Sequence, residues 1–156
     1  MTVRQAAMDE VPEIETMIRQ VIETVYPHYN PRGAVEFFLH HHDGEHIGRD
    51  VAEGRVYVGR DEDGLLLGTI TVVEQDLRRL FVDIQQQGKG YGKALLQFGE
   101  ELAFRRGSWA TLDATIQARN LYEKAGYQQE QFCLKPVGED FLCYIEMRKQ
   151  REKNGR

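Results

Sequence analysis

The sequence predicts a mixed α/β fold: one sheet of about seven strands with about four helices packed on its faces. Two observations carry this. Apolar residues switch between a period of 2 and a period of 3.6 in the order strand, two helices, three strands, helix, strand, helix, two strands. No repeat, low-complexity tract or linker interrupts that order.

The elements can be justified in order. Val3-Arg4-Gln5-Ala6 alternates as a short first strand. Asp9 offers a cap before Glu10-Val11-Pro12, with proline tolerated in a first helical turn. Val11, Ile14, Ile18, Val21 and Val25 follow at helical spacing, so residues 10–25 read as an amphipathic helix that Pro27 ends. Pro31 and Gly33 precede a second helical run, Ala34 to about His41, with Val35, Phe38 and Leu39 inward. Asp43-Gly44 and Gly48 mark loops, with a single helical turn near Val51. Arg55 to Gly59 alternates, and Asp61-Glu62-Asp63-Gly64 is a hairpin turn. Leu65 to Glu74 is a longer strand rich in β-branched residues, and Gln75-Asp76 turns into a strand at Leu77–Val82. A helix from Gly90 to about Arg106 stops at Gly107. Ser108–Asp113 is a fifth strand, a helix from Ala114 or Thr115 ends before Gly126, and Tyr127–Cys133 and Phe141–Met147 close the fold through Lys135-Pro136-Val137-Gly138.

With 156 residues the chain suits one domain, expected over residues 1–148, with 149–156 a charged, frayed tail. Apolar content of 41% and charged content of 29% are those of a soluble globular protein. No apolar run approaches the roughly 20 residues needed to cross a bilayer, and the N-terminus lacks a hydrophobic signal segment, so the cytoplasm is the expected compartment. Cys133 and Cys143 do not make a disulfide framework and read as reduced thiols. The segment from Arg148 to Arg156 carries +4, which leaves −9 on the rest of a chain whose net charge is −5. An acidic body argues against nucleic acid as a partner and tilts slightly toward a cationic acceptor.

Chemistry concentrates between residues 80 and 127. The apolar run Leu80-Phe81-Val82 leads into Gln87-Gly88-Lys89-Gly90-Tyr91-Gly92, and the helix with Leu95, Phe98 and Leu102 on one face follows. Glycines at every second position let successive N–H groups point into one concavity. The first helical turn adds unpaired N–H groups and the positive end of its dipole. Strand, glycine turn and helix together are an anion cradle. The spacing excludes both the dinucleotide fingerprint and the P-loop.

The hexad resembles the coenzyme A pyrophosphate loop of the GNAT N-acetyltransferase superfamily, Gln/Arg-x-x-Gly-x-Gly/Ala, with Gln87, Gly90 and Gly92 at its fixed positions. Leu121-Tyr122-Glu123-Lys124-Ala125-Gly126-Tyr127 resembles that superfamily's late signature on the helix after the fifth strand. The resemblance implies a GNAT-like sheet splayed between strands four and five. It also implies acetyl-CoA as co-substrate and transfer of its acetyl group to a primary amine, on a small molecule or on a peptide or protein. The rival reading is an acyl-CoA-binding sensor on the same fold. No metal, nucleic acid or membrane partner is expected, and a homodimer is left open.

On that resemblance, the backbone of Val82 and Ile84 pairs with the pantetheine amides, and the Val82 N–H faces the thioester carbonyl. Main-chain N–H groups of Gly88, Lys89, Gly90, Tyr91 and Gly92 take the pyrophosphate, with Lys89 and Lys93 adding positive charge. Many relatives carry an asparagine seven residues before the late tyrosine; here Thr115 stands there and offers a hydroxyl to the cofactor. Tyr122 is the general acid for the departing thiolate. Relatives keep a glutamate on the fourth strand as base, but Leu77-Arg78-Arg79-Leu80 has no carboxylate. Glu74 on the adjoining strand is therefore the first candidate, with Asp83 and His28 as alternatives. His40-His41-His42-Asp43 with His46 lacks a zinc-binding spacing, and the segment from Tyr26 to His46 is expected to wall the acceptor pocket.

Overall fold

All the strand-like runs enter one sheet. In the computed structural model, which describes residues 1–153, the strands are β1 (Thr2–Gln5), β2 (Val56–Arg60), β3 (Leu66–Val73), β4 (Asp76–Val82), β5 (Trp109–Ala114), β6 (Gln128–Val137) and β7 (Asp140–Gln150). Their order is β1-β2-β3-β4-β5-β7-β6, antiparallel throughout except for the parallel pair β4–β5. The helices are α1 (Val11–Val25), α2 (Arg32–His41), α3 (Gly44–Ala52), α4 (Tyr91–Arg106) and α5 (Arg119–Lys124).

Helices on both faces give the sheet two cores. Ile14, Ile18 and Ile22 of α1, Val35 of α2 and Ile47 of α3 bury against one face together with Val58 and Phe81. Leu95, Leu96 and Ala103 of α4 and Tyr122 of α5 bury against the other with Ile70, Leu112, Ile145 and Met147. Between them β3 is buried over seven of its eight residues, which explains its nearly continuous apolar run. A Cβ at Gly99 would lie 2.7 Å from Ile70 Cδ1, so glycine there lets α4 approach β3 closely.

Three boundaries differ from the sequence reading, each for a local reason. Residues 44–52 form a full helix instead of a single turn. Asp43 caps it by accepting the His46 N–H at 3.0 Å, and Ile47 and Val51, four apart, both reach the core. Glycines at 44 and 48 had signalled loops. The strand β6 runs through Pro136, which is tolerated because β6 is an edge strand. The last strand continues past its expected end at Met147: Lys149 Nζ pairs with the buried Glu100 carboxylate at 3.2 Å, and the Arg151 N–H donates to the Ser108 carbonyl at 2.7 Å. The expected tail thus begins later, and its residues 154–156 lie outside the described residues.

Among the described residues no helix is long and apolar enough to cross a membrane. Cys133 and Cys143 are free. They lie on adjacent strands, but the register pairs Cys133 with Tyr144 and Leu134 with Cys143, which puts the two thiols on opposite faces.

Candidate active site

The site is built from the place where the sheet opens. Pairing between β4 and β5 covers only Asp76↔Thr111 and Leu77↔Leu112. Just beyond it β4 bulges: Thr69 faces Phe81 and Thr71 faces Arg78, so Arg79 and Leu80 together oppose the single residue Ile70. Arg79 has φ +47°, a left-handed backbone rare for a non-glycine residue. Past the bulge β4 stays with β3 and leaves β5, which opens a wedge with an unpaired backbone edge. The Asp83 N–H donates to the Leu67 carbonyl on β3 at 2.9 Å. Strand alternation then turns the Val82 N–H the other way, into the wedge.

A cleft of about 560 Å³ occupies this wedge. Asp76 to Phe81 of β4 form one wall, with Leu112, Asp113, Thr115, Ala118 and Tyr122 opposite. Tyr26 just past α1, Phe37, Phe38 and His41 of α2, His42 after it and His46 of α3 close it. The Tyr26 ring stacks on Phe81 and meets Phe38 edge-on. Tyr122 is 8% exposed, and burial pushes its phenol up to about 12, so it is a protonated donor over the whole physiological range. Thr115, at the start of the 3₁₀ turn leading into α5, lines the cleft as well.

The glycine loop follows directly from the end of β4. Asp83 accepts the Gln85 N–H at 2.9 Å and caps a 3₁₀ turn at Ile84–Gln86. Ile84 therefore sits in a turn and packs on the apolar core beside α1, not in an extended strand edge. The Gln87 side-chain amide donates to the Val82 carbonyl at 3.1 Å and ties the loop back to the strand. Gly88 at φ +80° and Gly90 at φ +90° need glycine for their backbone, and a Cβ at either would meet nothing within 4 Å. The protein leaves open space there. At the head of α4 the Ala94 N–H uses the Gly90 carbonyl, so the preceding N–H groups of Tyr91, Gly92 and Lys93 have no helical acceptor. Lys89 Nζ reaches Gln86 Oε1 at 3.0 Å. Open space, free N–H groups, a helix dipole and two lysines form a donor set that fits a pyrophosphate.

The candidate bases are not brought together with Tyr122. Glu74 lies in the β3–β4 turn at the closed end of β4, its side chain 73% exposed and paired with Arg106 at 2.9 Å; it does not line the cleft. Its strand neighbour in sequence is right, but the hairpin points it away from the wedge. Asp83 is occupied as a cap. His28 sits on an exposed turn, away from the cleft lining.

The structure instead brings in groups that sequence periodicity could not place. Arg79 donates from Nη1 to Asp50 Oδ2 at 2.5 Å and from Nε to His42 Nδ1 at 3.0 Å. The His42 Nδ1 lone pair is thereby used, and burial, with Arg79 beside it, holds this imidazole well below its ordinary value. Asp76 is also engaged, accepting from Thr111 Oγ1 and from Arg78 Nε, both at 2.7 Å. The His46 Nδ1 meets Asp43 at 2.7 Å. His41 stacks on Phe37, and neither of its ring nitrogens has a protein hydrogen-bond partner among the described residues. Burial first, then Arg79, His46, Lys135 and Arg78, lower its pKa, so its imidazole is neutral at pH 7. Consecutive histidines gave no sequence signal for this sorting, because it depends on which ring meets Arg79.

Comparison with known proteins agrees with this geometry. The model of the acetyltransferase (GNAT) domain matches residues 52–129, half of the chain. No curated protein sequence matches. Among solved structures, a GCN5-related N-acetyltransferase from Rhodopseudomonas palustris superposes with a TM-score of 0.86 at 18% identity, covering 96% of this chain and 94% of that one. The PaiA N-acetyltransferase from Thermoplasma acidophilum, in complex with coenzyme A, gives 0.73 at 18% identity, with 96% and 98% covered. A ribosomal-protein-alanine N-acetyltransferase from Brucella melitensis gives 0.70 at 17% identity, with 96% and 99% covered. With the bulged fourth strand, the glycine loop and the domain match in agreement, the chain belongs to the GNAT acetyltransferase family.

Proposed function

We propose that this protein is an acetyl-CoA-dependent N-acetyltransferase in which a primary amine attacks the thioester directly. The observation that carries the reading is the cleft where β4 and β5 part, lined by Phe81 and the buried Tyr122, with the open glycine turn following from the end of β4. Backbone N–H groups from Gly88 to Gly92, with Lys89 and Lys93, hold the pyrophosphate, while Gln87 braces the loop. The Val82 N–H and the Thr115 hydroxyl hold the pantetheine arm and place the thioester beside the bulge.

In the transfer, the amine nitrogen bonds to the acetyl carbon and the carbon–sulfur bond breaks. The Tyr122 hydroxyl gives its proton to the departing thiolate. The amine must shed a proton to attack. His41, neutral and unbonded within the cleft, accepts it directly or through one water; Glu74 takes no part. The Val82 N–H aids the developing oxyanion.

Tyr122→Phe tests the reading, because it removes one hydroxyl and keeps the ring. With acetyl-CoA and a panel of amines, thiol release should fall by roughly 10²–10⁴-fold while coenzyme A affinity, measured by titration calorimetry, stays near parental. Full turnover in Tyr122→Phe would remove the acid role. Coenzyme A binding with no thiol release from the parent on any amine would favour the sensor reading.

A further inference from the structure

Arg79 is an unusual choice for a bulge. A left-handed backbone costs a non-glycine residue stability that glycine would not lose. Its side chain is also only 8% exposed, and a buried guanidinium is tolerated only when paired. Both costs are met at one point. Asp50 of α3 takes Nη1 at 2.5 Å, and His42, next to the end of α2, takes Nε at 3.0 Å. The bulge on β4 is thus fastened to both helices that cover the mouth of the cleft.

We propose that Arg79 is a positioning residue whose guanidinium, clamped between Asp50 and His42, holds the β4 bulge and so keeps the β4–β5 edge open for the acyl donor. The clamp comes immediately after the last β4–β5 pair, Leu77↔Leu112, where an unbulged strand would continue pairing. It also couples the acceptor-side helices to the donor-side edge, since the same guanidinium touches both layers. The link to acyl-donor binding rests on the function proposed above; the link to the bulge stands on the free protein.

Arg79→Gly is the informative variant. Glycine accepts φ +47° without strain, and Asp50 keeps a second cation, Arg55 at 3.7 Å, so the acid is not stranded. Asp50→Asn loosens the same clamp from the other side, and Arg79→Lys keeps the charge but can reach only one anchor at a time. Amide hydrogen exchange at Leu80, Phe81 and Val82 is followed in the ligand-free protein, together with coenzyme A affinity and the steady-state constants. Arg79→Gly should change exchange at those three amides, weaken coenzyme A binding on the order of tenfold, and raise the KM for acetyl-CoA more than it lowers kcat. Asp50→Asn should move in the same direction, and Arg79→Lys should restore part of the loss. Parental exchange and parental coenzyme A affinity in Arg79→Gly would overturn the proposal. If the parent itself binds no coenzyme A, the donor reading falls, and the exchange measurement alone still decides whether the clamp holds the bulge.

Discussion

Two residues carry the proposed proton inventory, and they differ in how far the sequence exposes them. Tyr122 is legible because it lies in a helix signature that fixes its neighbours, and the cleft wall is where that helix must pack. His41 is not, because its role follows from the hydrogen bonds of other residues: Arg79 takes His42, Asp43 takes His46, and His41 is left over. Arg79 and Arg78 from β4, Lys135 from β6 and His46 disfavour its cationic form, after partial desolvation itself. A protonated imidazole cannot accept the amine proton. Rate should therefore rise with pH through an apparent pKa below the ordinary 6.5 and level off above it. His41→Gln should erase that limb and lower turnover near pH 7 by about 10²-fold, with the deficit shrinking at high pH as free amine appears unaided. Glu74→Gln should be indistinguishable from the parent across the same profile, since its carboxylate is solvated and outside the cleft. A lost limb in Glu74→Gln with an intact one in His41→Gln would reverse the assignment.

The element proposed to bind the donor is the turn between β4 and α4. Its glycines separate into two kinds. Gly88 and Gly90 are required by their positive φ, and the space above them is open, where the proposed function puts the pyrophosphate. At Gly92 a Cβ would make an ordinary 3.6 Å contact with Val82 Cγ2, so the protein itself does not demand glycine there. Gly90→Val forces a β-branched residue into φ +90° and fills that open space, at a strain cost of roughly 1–3 kcal/mol. It should abolish measurable coenzyme A binding by calorimetry while the circular dichroism spectrum remains folded. Undiminished affinity in the folded variant would remove the loop assignment. The same turn corrects one expectation: Ile84 was to lend its backbone as strand edge, but the Asp83 cap draws it into a 3₁₀ turn. The helix α3 was missed for a related reason. An aspartate cap and two inward apolar residues outweigh two glycines once a core exists to receive them.

At the scale of the whole molecule, the first strand and first helix are tied by a partly exposed charge cluster. Glu10 accepts the Ala7 N–H and is gripped by Arg4 at 2.7 Å and Arg60 at 2.8 Å. Arg4 foremost, helped by the Ala7 N–H and Arg60 against the cost of burial, holds the carboxyl down at about 2 from an ordinary 4.5. A carboxyl with a depressed folded pKa stabilises the native state above its unfolded pKa and loses that contribution as pH falls. Glu10→Gln should thus lie below the parent by about 1–2 kcal/mol, a few degrees in Tm, at pH 5 and above. The gap should close between pH 4.5 and about 2 in thermal melts. A gap that persists at pH 2 would assign the effect to packing.

The sequence by itself determined the succession of the seven strands, the mixed sheet, the two motifs and their reading as a donor loop and an acid-bearing helix. These are local matters: periodicity, turn chemistry and short spacings are written in neighbouring residues. The tertiary structure alone decided where the charges meet. Bulk charge suggested a cationic acceptor, yet the cleft is lined by Arg49, Arg78, Arg79 and Lys135 against Asp50, Asp76 and Asp113. Glu74, the nearest acid to the fourth strand by sequence, lies outside the cleft that Tyr122 lines, while Arg79 and Asp50, 29 residues apart, form one buried pair. Electrostatic pairing acts through space over a few ångströms, and only the packing of α2 and α3 onto the bulged strand brings those groups within that distance.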